Sequence, residues 1–148
     1  MAILCAKHVK KGCFELGGSD PFIVLKDANM SRAVDAAYAS RMGNSGQACI
    51  NAKRFIITAP VYDEFRDRLL EKIKTATRVG DPLDPKTTCG PLALSRQKEK
   101  LLDQLGRATK EGGAVVTHGN KNFNLDDPEL RNGNFVDVFM LEKMNHNS

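Results

Sequence analysis

Phe22-Ile23-Val24-Leu25, then Met30 to Tyr38, then Arg54-Phe55-Ile56-Ile57-Thr58-Ala59 are the stretches that decide how this chain folds. The first is a continuous apolar run with β-branched members, as in a strand buried on both faces. Asn29 or Ser31 is placed to cap a helix, in which Met30, Ala33, Val34, Ala37 and Tyr38 share one face. Ala33, Ala36, Ala37 and Ala39 give that helix a small-residue surface suited to close packing, and Gly43 ends it. The third stretch is a second strand. Pro60 then suits the first turn of another helix, where Val61, Phe65, Leu69 and Ile73 recur every four residues with Tyr62 and Ala76 on the same face. Strands that alternate with helices in this way belong to the α/β class. The expected architecture is a three-layer sandwich around a mostly parallel sheet.

Working outward, Val79-Gly80-Asp81-Pro82-Leu83-Asp84-Pro85 cannot be helical, and residues 87–92 continue the connection with Cys89 packed in it. A further helix is expected to be capped by Ser95, to carry Leu101, Leu102, Leu105 and Ala108 inward, and to stop at Gly112-Gly113. Residues 114–118 read as a strand, 119–133 as a polar loop and 134–141 as a last strand. Upstream, Gly12-Cys13-Phe14-Glu15-Leu16 reads as a brief apolar strand. It stops at Gly17-Gly18, where a turn or a ligand comes close to the backbone. Glu15 is a carboxylate inside that run: a solvated side chain, or a buried one tuned to act as a base. Residues 1–11 are short and mixed, with a solvated basic turn at 7–11.

A chain of 148 residues is one domain at most, and 41% hydrophobic with 27% charged residues is ordinary globular composition. A net charge of +4 spread along the chain argues against a nucleic-acid partner. No apolar run approaches membrane-spanning length, and the first residues are too short for a signal peptide. Cys5, Cys13, Cys49 and Cys89 contain no CxxC pair, and His8, His118 and His146 stand singly. Neither a metal site nor a disulfide framework is expected, and the reducing cytoplasm is the expected compartment.

The chemistry concentrates in Gly43-Asn44-Ser45-Gly46-Gln47-Ala48-Cys49. Glycines and small polar residues let other atoms approach the thiol. A helical turn starting at Cys49, with Lys53 and Arg54 close by, would favour the thiolate. The alternative is a buried, inert cysteine after a helix end.

Phe14-Glu15-Leu16-Gly17-Gly18 followed by Gly46-Gln47-Ala48-Cys49 resembles the paired signatures of the aldehyde dehydrogenase superfamily. Lys53-Arg54, residues 61–65, Val79-Gly80-Asp81-Pro82 and Gly90-Pro91-Leu92 continue the match from about Lys7 to Phe139 and leave Met1 to Ala6 outside it. The wording from Glu15 to Leu25 is most similar to the succinate-semialdehyde dehydrogenase branch. Ser19 and Met42 depart from the commoner family residues.

That resemblance implies NAD(P)-dependent oxidation of an aldehyde to a carboxylic acid through a cysteine thioester. Cys49 would be the nucleophile and Glu15 the base that activates water. The Cys49 N–H would be one oxyanion donor, and Leu16 and Gly17 would lie against the nicotinamide of NAD or NADP. Arg41 would be a solvated helix-end residue or a reader of an acidic substrate.

Members of the family also carry an N-terminal cofactor-binding domain, a Glu-x-Phe-Gly-Pro segment and a β-arm used to form homo-oligomers. The chain is therefore expected to be an internal fragment. Residues 1–20 would be the end of the cofactor-domain strand and its Glu-Leu-Gly-Gly turn, and 21–148 the first part of the catalytic domain. Such a fragment, with no bed for the hydride acceptor, is expected not to oxidise aldehydes by itself. Two rivals stand beside this reading. One is a non-catalytic remnant acting through protein packing; the other is a thiol redox protein, which the missing partner cysteine disfavours.

Overall fold

The computed structural model describes residues 1–112, 114–118 and 128–144. Its elements run α1 (Ala2–Lys7), β1 (Asp20–Val24), α2 (Met30–Met42), β2 (Ala52–Ile57), α3 (Tyr62–Ala76), α4 (Ser95–Lys110), β3 (Ala114–His118), α5 (Pro128–Asn132) and β4 (Phe139–Glu142). Short 3-10 turns at Gly43–Gly46 and Ala59–Val61 precede β2 and α3.

The strand–helix–strand unit forms as expected. β1 and β2 pair in parallel, with Phe22 opposite Phe55 and Val24 opposite Ile57. α2 begins where Asn29 accepts a hydrogen bond from the Arg32 N–H through its side-chain oxygen. That cap satisfies a donor the first turn cannot satisfy itself. Asn29→Ala is accordingly expected to lower stability by about 1 kcal/mol, read as a shift in the urea midpoint with unchanged slope.

The core is built from one face of the sheet. Val24 packs with Val34 and Ala37 of α2 and with Phe65, Leu69 and Ile73 of α3. Phe22, Phe55 and Phe65 form an aromatic trio with ring centroids 5.6 to 6.5 Å apart. The antiparallel pair β3–β4 joins this unit through Val138 and Met140, which pack on the same core. The Tyr62 hydroxyl adds a hydrogen bond to Glu142 at 3.0 Å. A second cluster of Val79, Cys89, Leu130 and Phe135 anchors the two-proline connection, with Met42 at the end of α2 packed against it. Within that connection Val79 and Cys89 form an isolated parallel bridge.

The opposite face of β1–β2 is open. Ile23 and Leu25 are 61% and 55% exposed, so this run is buried on one face and not on both. Ile56 extends the same open face at 49%. α2 and α3 supply the covering layer on the core side.

Several expectations are corrected. No strand forms over residues 12–16: a strand needs a paired edge, and none of the described strands pairs with this segment. Phe14 instead folds back toward Gly12, where an added Cβ would overlap its ring. Residues 2–7 form the short, exposed helix α1.

Ser95 is the first helical residue of α4 and does not cap it. The Gln97 side chain accepts the Leu94 N–H instead, at 3.0 Å. The α4 leucines do not point into a core: Leu101 and Leu102 are exposed, and the helix has no buried residue. α4 does end as expected, with Gly112 at φ +95°, a conformation that favours glycine. α5 forms within the expected 119–133 loop, whose first part lies outside the described residues, and the last strand is shortened to β4.

Candidate active site

The cysteine loop begins with an unusual backbone. Asn44, Ser45 and Gly46 take φ values of +51°, +54° and +77° in succession. Left-handed geometry suits Gly46 and is tolerated by asparagine, but it costs about 1–2 kcal/mol at a residue such as Ser45. Hydrogen bonds to the neighbouring loop offset that cost. The Ser45 hydroxyl donates to the Gly90 carbonyl at 3.2 Å and accepts the Gly90 N–H at 3.0 Å. Gln47 donates to the Asn44 and Pro91 carbonyls and accepts the Ala93 N–H. The Gly90-Pro91-Leu92 segment is therefore docked onto the loop that leads to the thiol.

Cys49 sits in the middle of a turn that the Asn51 N–H closes onto the Ala48 carbonyl at 3.2 Å. No helix starts there, so no helix dipole acts on the sulfur. The residue is exposed, which removes the buried, inert reading. Its carbonyl accepts a 3.0 Å hydrogen bond from the Lys53 ammonium, which also reaches the Ala48 and Asn51 carbonyls at 3.3 Å. Among the described residues the Cys49 N–H has no acceptor.

The Glu-Leu-Gly-Gly turn reaches this site through its second glycine. A Cβ on Gly18 would lie 2.8 Å from the Cys49 carbonyl oxygen, so only glycine lets the two backbones meet without displacement. Arg54 holds the same junction from β2, donating through Nε and Nη2 to the Ser19 carbonyl at 3.1 and 2.8 Å.

The other expected residues are placed more openly. Glu15 is exposed, not enclosed in an apolar strand, and it forms no hydrogen bond or ion pair with a described residue, Cys49 included. Leu16 is 77% exposed, and a Cβ on Gly17 would meet nothing within 4 Å. Arg41 is not a fully solvated helix-end residue. It is half-buried, donates to the Ala52 carbonyl at 3.3 Å and lies over Gly46; burial lowers its pKa. Cys89 packs in the second cluster, and burial pushes its thiol pKa up.

Residues that the sequence reading passed over organise the loop. Asn51 is 5% exposed, a buried polar residue on an otherwise open turn. Ser45 reads in the sequence only as a small polar residue of the approach and Gln47 only as part of the Gly46–Cys49 signature, yet they make the contacts to residues 90–93. Their signal in the sequence was polar side chains flanking a thiol, which is too common to single them out. No group of three His, Cys, Asp or Glu among the described residues is arranged to hold a metal ion. Among these residues no helix is long and apolar enough to cross a membrane.

An exposed thiol on a turn, braced by a Glu-Leu-Gly-Gly segment on a parallel α/β scaffold, is the frame of a family that the whole chain matches. The aldehyde dehydrogenase family model covers residues 1–148, including the ends that the motif resemblance left out, and the chain belongs to that family. Among relatives, it is 43% identical over 118 residues to a succinate-semialdehyde dehydrogenase [NADP(+)] 1 of Mycobacterium ulcerans. That match covers 80% of this chain and 25% of the relative. The Mycobacterium tuberculosis protein of the same description is 43% identical over 125 residues, covering 84% and 26%.

Solved structures agree. An NADP-dependent enzyme of E. coli superposes with TM-score 0.87 at 35% identity, covering 99% of this chain and 29% of that one. The succinic semialdehyde dehydrogenase of Streptococcus pyogenes, solved with NADP+, gives 0.86 at 37%, covering 99% and 30%. The chain thus spans about a quarter of the length of the curated relatives it matches.

Proposed function

We propose that this chain carries the nucleophile and the base of an NADP-linked aldehyde oxidation, with succinate semialdehyde as the aldehyde. The observation that carries the reading is the Cys49 turn: an exposed sulfur beside an N–H with no acceptor among the described residues, its carbonyl packed on Gly18. The family supports aldehyde oxidation, and the relatives' descriptions support the substrate and cofactor. Residues 1–20 then deliver the Glu-Leu-Gly-Gly turn to a catalytic unit formed by 21–148.

The steps follow from side-chain chemistry. The exposed Cys49 thiol loses its proton to solvent, the sulfur bonds to the aldehyde carbon as the carbonyl π bond opens, and the carbonyl oxygen becomes an oxyanion facing the Cys49 N–H. A bound NADP+ would supply the hydride acceptor, leaving the carbon on Cys49 at the thioester level. Leu16 and Gly17 fit the ring end of that cofactor, since they offer an exposed apolar side chain beside an open glycine. Glu15 then takes a proton from water, the hydroxide adds to the thioester carbon, and the carbon–sulfur bond breaks. The products are the acid and the regenerated thiol.

An activated ester tests the thiol half without any cofactor. With p-nitrophenyl acetate, the chain is expected to release nitrophenolate and to carry acetyl on the Cys49 peptide. Glu15→Gln should leave that acetyl in place on the order of 10²-fold longer, the lower end of general-base contributions. Acetyl found equally on exposed Cys13 and on Cys49 would sink the reading.

A second reading is a chain that acts through packing alone, favoured by the open apolar face of Ile23, Leu25 and Ile56. It expects no preference for Cys49 in the same experiment.

A further inference from the structure

We propose that Asn51 is the positioning residue of the thiol site: it aims the Cys49 N–H by tying the turn to the end of α2. The inference rests on the reading of Cys49 as nucleophile. Every polar atom of the Asn51 side chain is used. Its oxygen accepts the Ala48 N–H, and its amide nitrogen donates to the Ser40 carbonyl and, at 3.3 Å, to the Gly43 carbonyl. Ser40 and Gly43 lie at the end of α2, where carbonyls lose their intrahelical partners. Asn51 supplies those partners from a turn that is far less regular than the helix.

The neighbouring residue repeats the arrangement. The Ala52 N–H donates to the Ser40 hydroxyl at 3.1 Å, while its carbonyl accepts from Arg41. The turn is thus fastened to a helix that is itself packed into the core through Val34 and Ala37.

The consequence falls on the peptide between Ala48 and Cys49. The Ala48 N–H is held by the Asn51 side chain, and the Ala48 carbonyl accepts the Asn51 N–H and the Lys53 ammonium. With the residue gripped at both ends, that peptide plane cannot rotate freely, and the Cys49 N–H keeps one direction. A donor aimed in advance at developing negative charge is worth far more than one that must reorganise. Asn51 touches neither sulfur nor substrate, so it acts through Cys49.

Only an amide side chain offers this set, and glutamine would carry it one methylene further from the turn. Aspartate keeps the acceptor for Ala48 but sets a charge against two carbonyls, and alanine leaves a donor and two acceptors without partners.

The test separates aim from accessibility. Alkylation of Cys49 by iodoacetamide forms no oxyanion, whereas acetylation by p-nitrophenyl acetate does. In the full chain, Asn51→Ala is expected to slow Cys49 acetylation by ~30-fold or more, toward the loss seen when an oxyanion donor is removed. Alkylation should stay within about 3-fold. Asn29→Ala, which weakens α2 from its other end, should leave the ratio of the two rates unchanged. Equal slowing of both reactions in Asn51→Ala, or slowing of neither, overturns the proposal.

Should Asn51→Ala fail to fold, hydrogen exchange on the wild-type chain decides. An Ala48 amide as protected as those of α2 supports the clamp, and exchange at the rate of an open turn overturns it. If the wild type shows no acetylation preference for Cys49, the nucleophile reading fails. The Ala48 exchange then still judges whether Asn51 clamps the turn.

Discussion

Cys49→Ala is expected to abolish site-directed acyl transfer, lowering nitrophenolate release from p-nitrophenyl acetate by on the order of 10²-fold or more. The acetyl group should vanish from the Cys49 peptide, while any slow background on Cys13 persists. Because the side chain is exposed, the fold should hardly notice, with a stability change inside about ±0.5 kcal/mol. That combination is what makes the variant informative, since lost chemistry with an unchanged melting curve cannot be blamed on unfolding. Retained turnover would mean that another group, Cys13 or a lysine, carries the acyl group, and the thiol mechanism would be rejected.

Phe65→Ala is expected to show the largest loss of stability, about 3–5 kcal/mol. The ring is 3% exposed and packs against both Phe22 and Phe55, with centroids 6.5 and 6.3 Å away. Its removal takes out transfer free energy and leaves a cavity where both strands of the parallel pair meet α3. For a chain of this size the melting temperature should fall by on the order of 10 °C, at about 2–4 °C per kcal/mol. Leu70→Ala, a half-buried neighbour on the same helix, is the natural comparison and should cost much less. A melting point shifted equally by the two variants would place the core elsewhere.

What could be read from the sequence follows how local the signal was. The apolar spacing of Val34 and Ala37, and of Phe65, Leu69 and Ile73, reports a helix face through the chain's own period. These residues do line the core. The same reasoning misjudged Ile23, Leu25, Leu101 and Leu102, because apolar character says a side chain gains from burial, not that a partner is there to bury it. Residues 12–16 carry strand-like composition without a paired edge, so the propensity goes unexpressed.

At the site, the thiol and its glycine-rich approach were legible as a motif. The contact of Gly18 with the Cys49 carbonyl was not, since it joins segments distant along the chain. Asn51 was invisible for a related reason: its role lies in the groups that its amide reaches in three dimensions, and an asparagine before a strand has many ordinary uses.

The bonds that Ser45 and Gln47 send to Gly90, Pro91 and Ala93 carry a thermodynamic corollary. Two segments that share hydrogen bonds share one equilibrium between order and disorder. A molecule that settles on the 90–93 segment therefore raises the ordered fraction of the cysteine loop, and a molecule held by Cys49 does the same for 90–93. Linkage makes the two effects equal in free energy. Occupancy of either segment is, in that sense, a measure of the other.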